Sequence, residues 1–299
     1  SRSLDQAVTM FAPGARIVKD KQDLFPIGFA HWVKRKGRVS AEDPLGDRLE
    51  LARCRDCSVV LAKDIWGGRR DELAVGVVVQ SMCPGCGRLL DEFDAYQPKG
   101  FRTDYAEHDY DPGLDAFVGS PTSSLARVPT GVASSLVGSL SVELLEENQV
   151  VTMNDNRGEL FSSVSDNYTL VVTNPEPYSD GIQQMIQNRF VGRPPRPSKP
   201  YAIVDVLTTD VLVLTPDTVP LPGGIVTTDF TALPSGLSAF TSFSQMLIRA
   251  CKDYLQIDPT ELRIGLQPFS SSSGISQRIF IADVLENGSG NVKLIGDDA

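Results

Sequence analysis

The stretches Cys54-Arg-Asp-Cys57 and Cys83-Pro-Gly-Cys86, the second followed by Gly87, carry the strongest fold signal in this chain. A Cys-x2-Cys pair brings two thiolates to one ion from a tight turn, and two such pairs complete the tetrahedron of sulfur ligands that suits Zn²⁺. The proline and glycines of the second pair let the backbone curl so that amide N–H groups point at the sulfurs. The spacing therefore predicts a structural zinc site with the ligands Cys54, Cys57, Cys83 and Cys86.

Two disulfides, or plain burial, are the alternative interpretations of these cysteines. Disulfides are typical of small secreted proteins, whereas this chain has 299 residues, five cysteines and no recognisable signal peptide. A closed four-thiolate site has no open position for water, so the zinc would fold a local module and take no part in catalysis. The loop of residues 58–82 leaves room for a hairpin between the two cysteine pairs, for example at Leu73–Gln80.

The chain is acidic, with a net charge of −10 and a pI near 4.8. A protein that wraps nucleic acid over much of its surface is normally basic, so any DNA contact must come from local patches. No apolar run approaches the roughly 20 residues that a membrane span needs. The few cysteines, nearly all paired by spacing, predict a protein of the reducing cytoplasm. The first residue is Ser, which favours a piece of a longer polypeptide.

Hydrophobic patterning predicts a mixed α+β chain that is divided into four consecutive segments. Residues 1–50 form a linker with a helix, and residues 51–105 form the four-cysteine zinc module. Residues 106–200 form a β-rich segment that ends in a proline-rich linker. Residues 201–299 form an α/β C-terminal domain.

The clearest helix signal lies near residue 250. Phe240, Phe243, Leu247, Cys251 and Tyr254 recur every three or four residues, which predicts an amphipathic helix with Cys251 in the core. A shorter helix is predicted over Ser179–Phe190, and Asp258-Pro-Thr-Glu261 is typical of a capped helix start. Strands are predicted at Ser139–Leu145, Val150–Met153, Glu159–Val164, Tyr168–Val172, Tyr201–Leu207, Val211–Leu214, Leu262–Leu266 and Arg278–Ala282.

Two basic segments are the candidate DNA contacts, because lysine and arginine displace counterions from phosphates. The first follows Trp32 and comprises Lys34, Arg35, Lys36 and Arg38. The second runs from the end of the shorter helix into the proline-rich linker and comprises Arg189, Arg193, Arg196 and Lys199. An exposed turn explains the first segment equally well, and most stretches like the second are solvated linkers.

The sequence contains no recognisable catalytic constellation. No P-loop, strand-linked G-x-G-x-x-G or G-x-S-x-G elbow is present, so nucleotide hydrolysis and serine-hydrolase chemistry have no visible site. The stretch Glu107-His-Asp109 is interpreted as a solvated acidic loop. Asp205, Asp210 and Asp283 lie near strand ends and are interpreted as turn and cap residues. A nuclease built on these aspartates is the weakest hypothesis, and we predict no catalytic residue.

Several further segments, spread over nearly the whole chain, resemble one known family in their order. These segments are Ser1-Arg-Ser-Leu4 with Phe11–Ala15, Cys83–Gly87 with Tyr96–Asp104, Asn154–Gly158 with Phe161, Thr209–Leu212, and Ile279–Asp283 with Glu286–Gly290. They resemble the region that follows the second motor domain of large superfamily 2 DNA helicases, including its zinc knuckle and its domain of unknown function. MrfA-like repair helicases and the helicases of the DISARM and Druantia anti-phage systems share this region.

The resemblance implies a non-catalytic accessory region of an ATP-dependent DNA helicase of prokaryotic anti-phage defence. ATP and Mg²⁺ would bind only to motor domains in the same polypeptide, and this region would help to hold DNA or dock a defence partner subunit. The chain departs from the family pattern at Ser289 and Asn291, where relatives usually have Ala and Tyr. No counterpart of the later cysteine cluster of MrfA-like proteins precedes Ala299, so that cluster either lies beyond this fragment or is absent from this branch of the family. A protein-docking scaffold subunit without direct DNA contact is the alternative function.

Overall fold

The computed structural model has a mixed α/β fold in which strands predominate, which confirms the predicted mixed class. It describes residues 4–55, 60–62, 82–83, 87–104, 108–113, 123–126, 135–137, 140–174, 180–216, 219–220, 226–227, 231, 234–258, 260–271 and 274–297. None of the helices among these residues is long and apolar enough to cross a membrane.

The helices and strands are numbered in chain order. The helices are α1 (Leu4–Met10), α2 (Asp180–Phe190), α3 (Pro234–Leu255) and α4 (Asn291–Asp297). The first ten strands are β1 (Ile17–Lys19), β2 (Gln22–Leu24), β3 (Pro26–Phe29), β4 (His31–Arg35), β5 (Arg38–Glu42), β6 (Arg48–Arg53), β7 (Val60–Ala62), β8 (Asp91–Tyr96), β9 (Phe101–Thr103) and β10 (His108–Asp109). The others are β11 (Ser123–Ala126), β12 (Ser135–Val137), β13 (Leu140–Asn154), β14 (Ser163–Asp166), β15 (Thr169–Val172), β16 (Tyr201–Pro216), β17 (Val219–Pro220), β18 (Val226–Thr227), β19 (Leu262–Ser271) and β20 (Gly274–Asp283).

The chain groups into two compact units, each assembled from three stretches of sequence. Unit 1 contains Ser1–Leu51, Phe93–Ser123 and Thr152–Val206. Unit 2 contains Ala52–Glu92, Ser124–Val151 and Leu207–Ala299. The predicted division into four consecutive segments stays a prediction. The two units are groups of residues that contact one another in space, and they do not test how the chain is divided along its length.

The core of unit 1 is built on a four-stranded sheet with the order β14-β15-β3-β9. All residues of β3 are buried. Its sequence Pro-Ile-Gly-Phe is apolar throughout, as is typical of a strand that is covered on both faces. Ile27 of this strand packs in one cluster with Val171 of β15 and with Ile186 and Phe190 of α2. Phe29 belongs to a second cluster, which surrounds the buried ring of Tyr201.

Tyr201, the first residue of β16, is completely buried and connects the core to a surface segment. The centroid of its ring lies 5.5 Å from that of Tyr96, in an edge contact, and 6.3 Å from that of Phe29. Its hydroxyl donates to Oγ of Ser163 at 3.0 Å, and this Oγ donates to the backbone carbonyl of Arg196 at 2.6 Å. Burial raises the pKa of Tyr201, so the hydroxyl keeps its proton and remains a donor.

The core of unit 2 lies on both faces of β20, which pairs antiparallel with β16 and β19. Its side chains alternate between the faces, as the period of two in a strand requires. Ile279 and Ile281 pack in the cluster that contains the buried face of α3. Phe280 and Ala282 pack with Val150 of β13 in a separate cluster.

Helix α3 confirms the longer predicted helix, and α2 confirms the shorter one, but the buried stripe of α3 differs from the prediction. Its buried residues are Phe240, Ser244, Ile248 and Cys251. Phe243 and Tyr254, which the periodicity assigned to the core, are exposed. Apolar residues on neighbouring stripes of one helix fit the same period, so the pattern alone does not decide which stripe faces the sheet.

Two predicted pairs of short strands are each one long strand, β13 and β16. Polar residues in the middle of each run read as turns in the sequence. In the structure, Glu147 of β13 adopts a φ of 49° and its N–H donates to Oδ1 of Asp210 in β16 at 3.2 Å. A side-chain hydrogen bond therefore supports a local irregularity, and the strand continues through it.

The predicted helix start at residues 258–261 is wrong, because β19 begins at Leu262. Oδ1 of Asp258 accepts hydrogen bonds from the N–H of Thr260 at 2.8 Å and from its hydroxyl at 2.6 Å. This local turn uses the same side-chain acceptor as a helix cap, which is why the two look alike in sequence.

Candidate functional site

Two of the four predicted zinc ligands, Cys54 and Cys83, lie within the described residues, whereas Cys57 and Cys86 lie outside them. Both described cysteines are buried and belong to one small cluster of unit 2. No disulfide joins cysteines in the described part of the chain, and no group of three or more potential metal ligands occurs there. Two reduced thiols in one cluster fit the donor chemistry of a zinc site.

Backbone hydrogen bonds join the described residues on either side of the second cysteine pair, at Cys83 and at Gly87–Arg88. The N–H of Cys83 donates to the carbonyl of Arg88 at 2.7 Å, and the N–H of Gly87 donates to the carbonyl of Cys83 at 2.9 Å. Gly87 has a φ of 68°, and an antiparallel bridge between Met82 and Leu89 closes the loop. The local geometry therefore fits the sequence-based hypothesis of a knuckle at residues 83–87.

Four of the predicted DNA contacts lie on the hairpin of β4 and β5, which forms a separate two-stranded sheet in unit 1. The register pairs Arg35 with Arg38 and leaves Lys36 and Gly37 as a two-residue turn. Both turn residues have positive φ values, 47° and 80°, as two-residue hairpin turns of the favoured type require. The hairpin therefore carries Lys36 at its tip, with Lys34, Arg35 and Arg38 beside it.

The two faces of this hairpin carry different side chains, because neighbouring residues of a strand alternate. Trp32 lies opposite Ala41, and Lys34 lies opposite Val39, so these four residues share one face. Trp32 is 54% exposed and Val39 is 64% exposed. This face, which we call the Trp32 face, is therefore an apolar surface with one cation and open contact with solvent.

Cations dominate the charge of the hairpin. Arg35 forms an ion pair of 2.9 Å with Glu42, the one carboxylate in residues 31–42. Lys34, Lys36 and Arg38 form no ion pair with any residue that the structure describes. Four cations against one carboxylate give the hairpin a local charge of +3, on a chain whose net charge is −10.

The second basic segment is extended, as predicted, but it is bound along β14 and does not behave as a free linker. The N–H of Arg196 donates to the carbonyl of Ser163 at 2.8 Å, and Pro195 forms a bridge with Val164. The side chains of Arg196 and Lys199 remain exposed. Prolines lack an N–H group, so a proline-rich run suits the outer edge of a sheet as well as it suits a linker.

Arg193 contributes to the fold, because it binds a buried carboxylate. Its Nη1 lies 2.7 Å from Oδ1 of Asp166, and Nη1 of Arg102 lies 3.0 Å from Oδ2 of the same residue. Burial raises the pKa of Asp166, but hydrogen bonds from the two arginines outweigh burial and hold the pKa below its ordinary value. The guanidinium groups of Arg189 and Arg193 also lie over the ring of Phe190, at 5.3 and 5.1 Å. Arg193 therefore stabilises unit 1.

A groove of about 580 Å³ in unit 1 lies between the base of the β4–β5 hairpin and the proline-rich segment. Of the predicted DNA contacts, Arg196 lines it, whereas residues 34–38 lie farther along the hairpin, towards its tip. The end of β5 and the residues after it contribute Ala41, Glu42, Asp43 and Pro44. The proline-rich segment contributes Pro194 and Arg196, and the hairpin of β14 and β15 contributes Ser165, Tyr168, Thr169 and Leu170. Segments that are far apart in sequence therefore border one surface.

Tyr168 is the most exposed large hydrophobic residue among those that line this groove, with an exposed fraction of 82%. It was predicted to begin a strand, but with Asn167 it forms the two-residue turn between β14 and β15, at φ values of 66° and 45°. Asn-Gly is the usual sequence for such a turn, and a side chain other than glycine in the left-handed region costs about 1 kcal/mol. Because so little of the ring is buried, packing does not offset this strain. Strained exposed residues are typical of functional sites.

Asp210 and Asp283 approach the same glycine turn in unit 2, which the sequence did not indicate. Asp283 is fully buried, and its Oδ2 accepts hydrogen bonds from the N–H groups of Ser289 and Gly290, each at 3.0 Å. Oδ1 of Asp210 in β16 accepts a hydrogen bond from the N–H of Glu147 in the neighbouring strand β13. Asp283 caps the glycine turn, as interpreted. Asp210 lies within β16 and not at its end, and its Oδ2 lies 3.6 Å from Nζ of Lys293.

The interpretation of Glu107-His-Asp109 as a solvated acidic loop is wrong for His108. This residue lies in β10, opposite Asp23 of β2. Its Nε2 lies 2.6 Å from Oδ2 of the buried Asp104, and its ring packs edge-on against Phe25 with centroids 5.1 Å apart. A hydrogen bond with Asp104 and an aromatic contact explain the position of His108, and Glu107 lies outside the described residues.

No protein-family model and no curated protein matches this chain. The groove, the basic hairpin and the cysteine cluster are therefore interpreted from their own geometry and chemistry.

Proposed function

We propose that this chain is a non-catalytic accessory region that engages DNA through the β4–β5 hairpin and the groove beside it. The observation that carries the proposal is the local charge of +3 on the β4–β5 hairpin, whose base borders the groove that Arg196 lines. Exposed cations concentrated on one hairpin of an acidic chain give a polyanion a defined site of approach. Phosphates are the polyanions that such a surface attracts.

The electrostatics of the hairpin support contact with a phosphate backbone. The local charge of +3 contrasts with the acidic remainder of the chain, so DNA would approach in one orientation and bind one patch. Lys34, Lys36 and Arg38 are the residues that we expect to contact phosphates. Arg196 and Lys199 extend the cationic surface on the other side, whereas Arg193 is engaged with Asp166 and Arg189 stacks on Phe190.

The resemblance to superfamily 2 helicases supports a motor-associated role. In this proposal ATP and Mg²⁺ bind to motor domains in the same polypeptide, which hydrolyse ATP, while this region holds DNA or docks a partner subunit of a prokaryotic anti-phage system in the cytoplasm.

A structural zinc site is part of the proposal. Cys54, Cys57, Cys83 and Cys86 would hold the ion, and the buried cluster of Cys54 and Cys83 with the turn at Gly87 fits this role. Bound zinc would crosslink the two segments that carry the cysteine pairs. Its role is structural, because four thiolates leave no open coordination position.

Salt-titrated DNA binding by a pair of charge-reversal variants tests the proposal. Lys34→Glu combined with Lys36→Glu should weaken binding strongly, and should lower the slope of log K against log salt by about 1.5 because two phosphate contacts are lost. Lys19→Glu combined with Lys21→Glu is the matched control, since Lys19 precedes and Lys21 belongs to the turn of another hairpin in unit 1, β1–β2, and both are exposed. Equal effects of the two double variants, or no DNA binding by the unmodified chain, would contradict the proposal.

A docking scaffold without DNA contact is the second candidate function. It is favoured by the exposed stripe of α3, where Phe243, Met246 and Tyr254 are 38%, 72% and 67% exposed. Large apolar residues on one exposed helix face are typical of protein interfaces. Under this function Met246→Glu would release the partner subunit from the parent complex, and the two lysine double variants would leave DNA-dependent activity of the parent unchanged.

A further inference from the structure

We propose that the Trp32 face of the hairpin and the adjoining groove bind single-stranded nucleic acid, with unpaired bases stacked on Trp32 and Tyr168. This inference rests on the proposed function, because it names the kind of nucleic acid that the basic hairpin engages. It follows from the position of the two rings, their exposure and the charges around them.

The two rings belong to one continuous surface of unit 1. Ala41 lies directly opposite Trp32 in the hairpin register, and Ala41 also lines the groove. Side chains of directly opposed residues lie about 5 Å apart at their Cβ atoms. Tyr168 lines the same groove from the turn between β14 and β15. A nucleic-acid strand that passes from the Trp32 face over Ala41 therefore enters the groove that Tyr168 lines.

The exposure of the rings favours stacking on bases. Trp32 is 54% exposed and Tyr168 is 82% exposed, so both rings are accessible to a ligand. Stacking needs the flat face of a base, which a duplex hides between its neighbours and a single strand exposes. The left-handed conformation of Tyr168, at a φ of 66°, lowers the stability of the folded chain. Glycine would adopt this conformation at less cost, and a ligand that stacks on the ring explains why the residue is tyrosine.

The charges around the rings suit a phosphate backbone. Lys34 shares the Trp32 face, Lys36 is at the tip, and Arg196 lines the groove. Two carboxylates also line the groove, and both are engaged: Glu42 pairs with Arg35 at 2.9 Å, and Oδ1 of Asp43 accepts the N–H of Leu45 at 3.0 Å. The groove lining has one cation, Arg196, against these two carboxylates, so the phosphate contacts fall mainly to Lys34 and Lys36 on the hairpin beside Trp32. Cations beside exposed aromatic rings are the combination that single-strand binding grooves use.

Tryptophan fluorescence gives a direct test of stacking. The chain contains two tryptophans, Trp32 and Trp66, so Trp66→Phe leaves Trp32 as the single reporter. Titration of this variant with a 20-nucleotide oligo(dT) should quench its emission, because a stacked base quenches indole. A 20-base-pair duplex at the same salt concentration should produce little quenching. Oligo(U) of the same length distinguishes DNA from RNA as the preferred strand.

Ring-deletion variants test whether stacking contributes to affinity. Trp32→Ala should weaken oligo(dT) binding roughly tenfold and should leave duplex binding unchanged, whereas Trp32→Phe should retain most of the affinity. Tyr168→Gly should also weaken oligo(dT) binding, and it should raise Tm by about 2 °C because Asn-Gly relieves the turn. Tyr168→Phe keeps the ring and should bind as the unmodified chain does. A rise in Tm with a loss of affinity separates a binding role from a folding role.

Three results would overturn the inference. The first is unchanged Trp32 emission at saturating oligo(dT), and the second is unchanged oligo(dT) affinity in both Trp32→Ala and Tyr168→Gly. The third is an equal loss of single-strand and duplex binding in these variants. If the lysine double variant still weakens DNA binding in any of these cases, the stacking inference fails and the proposed function survives. If the unmodified chain binds neither oligonucleotide nor duplex, the proposed function itself fails.

Discussion

An added Cβ at Gly288 would lie 2.6 Å from Oδ2 of Asp210, closer than any side chain permits. Gly288 also has a φ of 78°, a conformation that residues with a Cβ rarely adopt. We expect Gly288→Ala to lower the free energy of unfolding by about 2–3 kcal/mol, because backbone strain and steric overlap act together. Denaturant unfolding followed by circular dichroism measures this loss.

Gly290→Ala is the matched control for that experiment. Gly290 has a φ of 83°, but an added Cβ there would have no atom within 4 Å. The control therefore contains the backbone strain alone, which we expect to cost about 1 kcal/mol. Equal losses in the two variants would mean that Asp210 moves aside without cost, contrary to this prediction.

The stability of unit 1 should depend on pH through Asp166. Burial raises the pKa of this carboxylate, but hydrogen bonds from Arg193 and Arg102 outweigh burial and hold the pKa below the ordinary value of 3.8. The unfolded chain binds a proton at higher pH than the folded chain does. The stabilisation by this carboxylate is therefore complete above the unfolded pKa and is lost as the pH falls through the folded pKa. Thermal unfolding between pH 6 and pH 2 should show Tm falling steeply below about pH 4.

Asp166→Asn removes the charge and should make this pH dependence shallower. We also expect it to lower the free energy of unfolding at pH 7 by about 3 kcal/mol, because Arg102 stays buried and loses its carboxylate. Asp253→Asn is the control, since Asp253 is exposed and its pair with Arg249 spans 3.8 Å. A pH profile of Asp166→Asn that runs parallel to that of the unmodified chain would refute the assignment.

The proposed zinc site predicts about one zinc per purified chain by elemental analysis. Cys54→Ser and Cys83→Ser should each abolish zinc binding and expose the cluster around residues 52–90 to proteolysis, because metal binding and local folding are coupled. Cys251→Ser should keep the zinc, since Cys251 packs in the core of unit 2 and burial raises the pKa of its thiol. Soluble, folded chain without zinc would rule the site out.

The elements that rest on local patterns are those that the sequence predicted well. Helix α3 follows from apolar residues at helical spacing, and the role of Asp283 follows from its position before a glycine turn. The limits of local patterns appear in β13 and β16, where polar residues within a strand read as turns. In the structure a contact between Glu147 and Asp210 stabilises the irregularity in β13, and no local rule contains that contact.

The candidate groove was beyond sequence reasoning for a different reason. Arg196 was recognisable as a cation, but its place in the groove depends on the pairing of β14 with β15 and on the binding of the proline-rich segment along β14. The sequence did not indicate Trp32 and Tyr168 as binding residues, because that role depends on the exposure of their rings to solvent. Alternation along β4 assigns Trp32 to a face without saying that the face is open, and the left-handed φ of Tyr168 is a property of the folded turn.

The bond between Arg196 and Ser163 has a consequence for the behaviour of the chain at high concentration. β14 is the outermost strand of its sheet, and a bare outer strand offers unpaired backbone groups to any other chain with a free edge. Pro195 and Arg196 occupy that edge through the bridge to Val164 and the hydrogen bond to Ser163, and the prolines around them have no N–H to donate in turn. The segment that borders the groove therefore also protects the sheet against edge-to-edge aggregation.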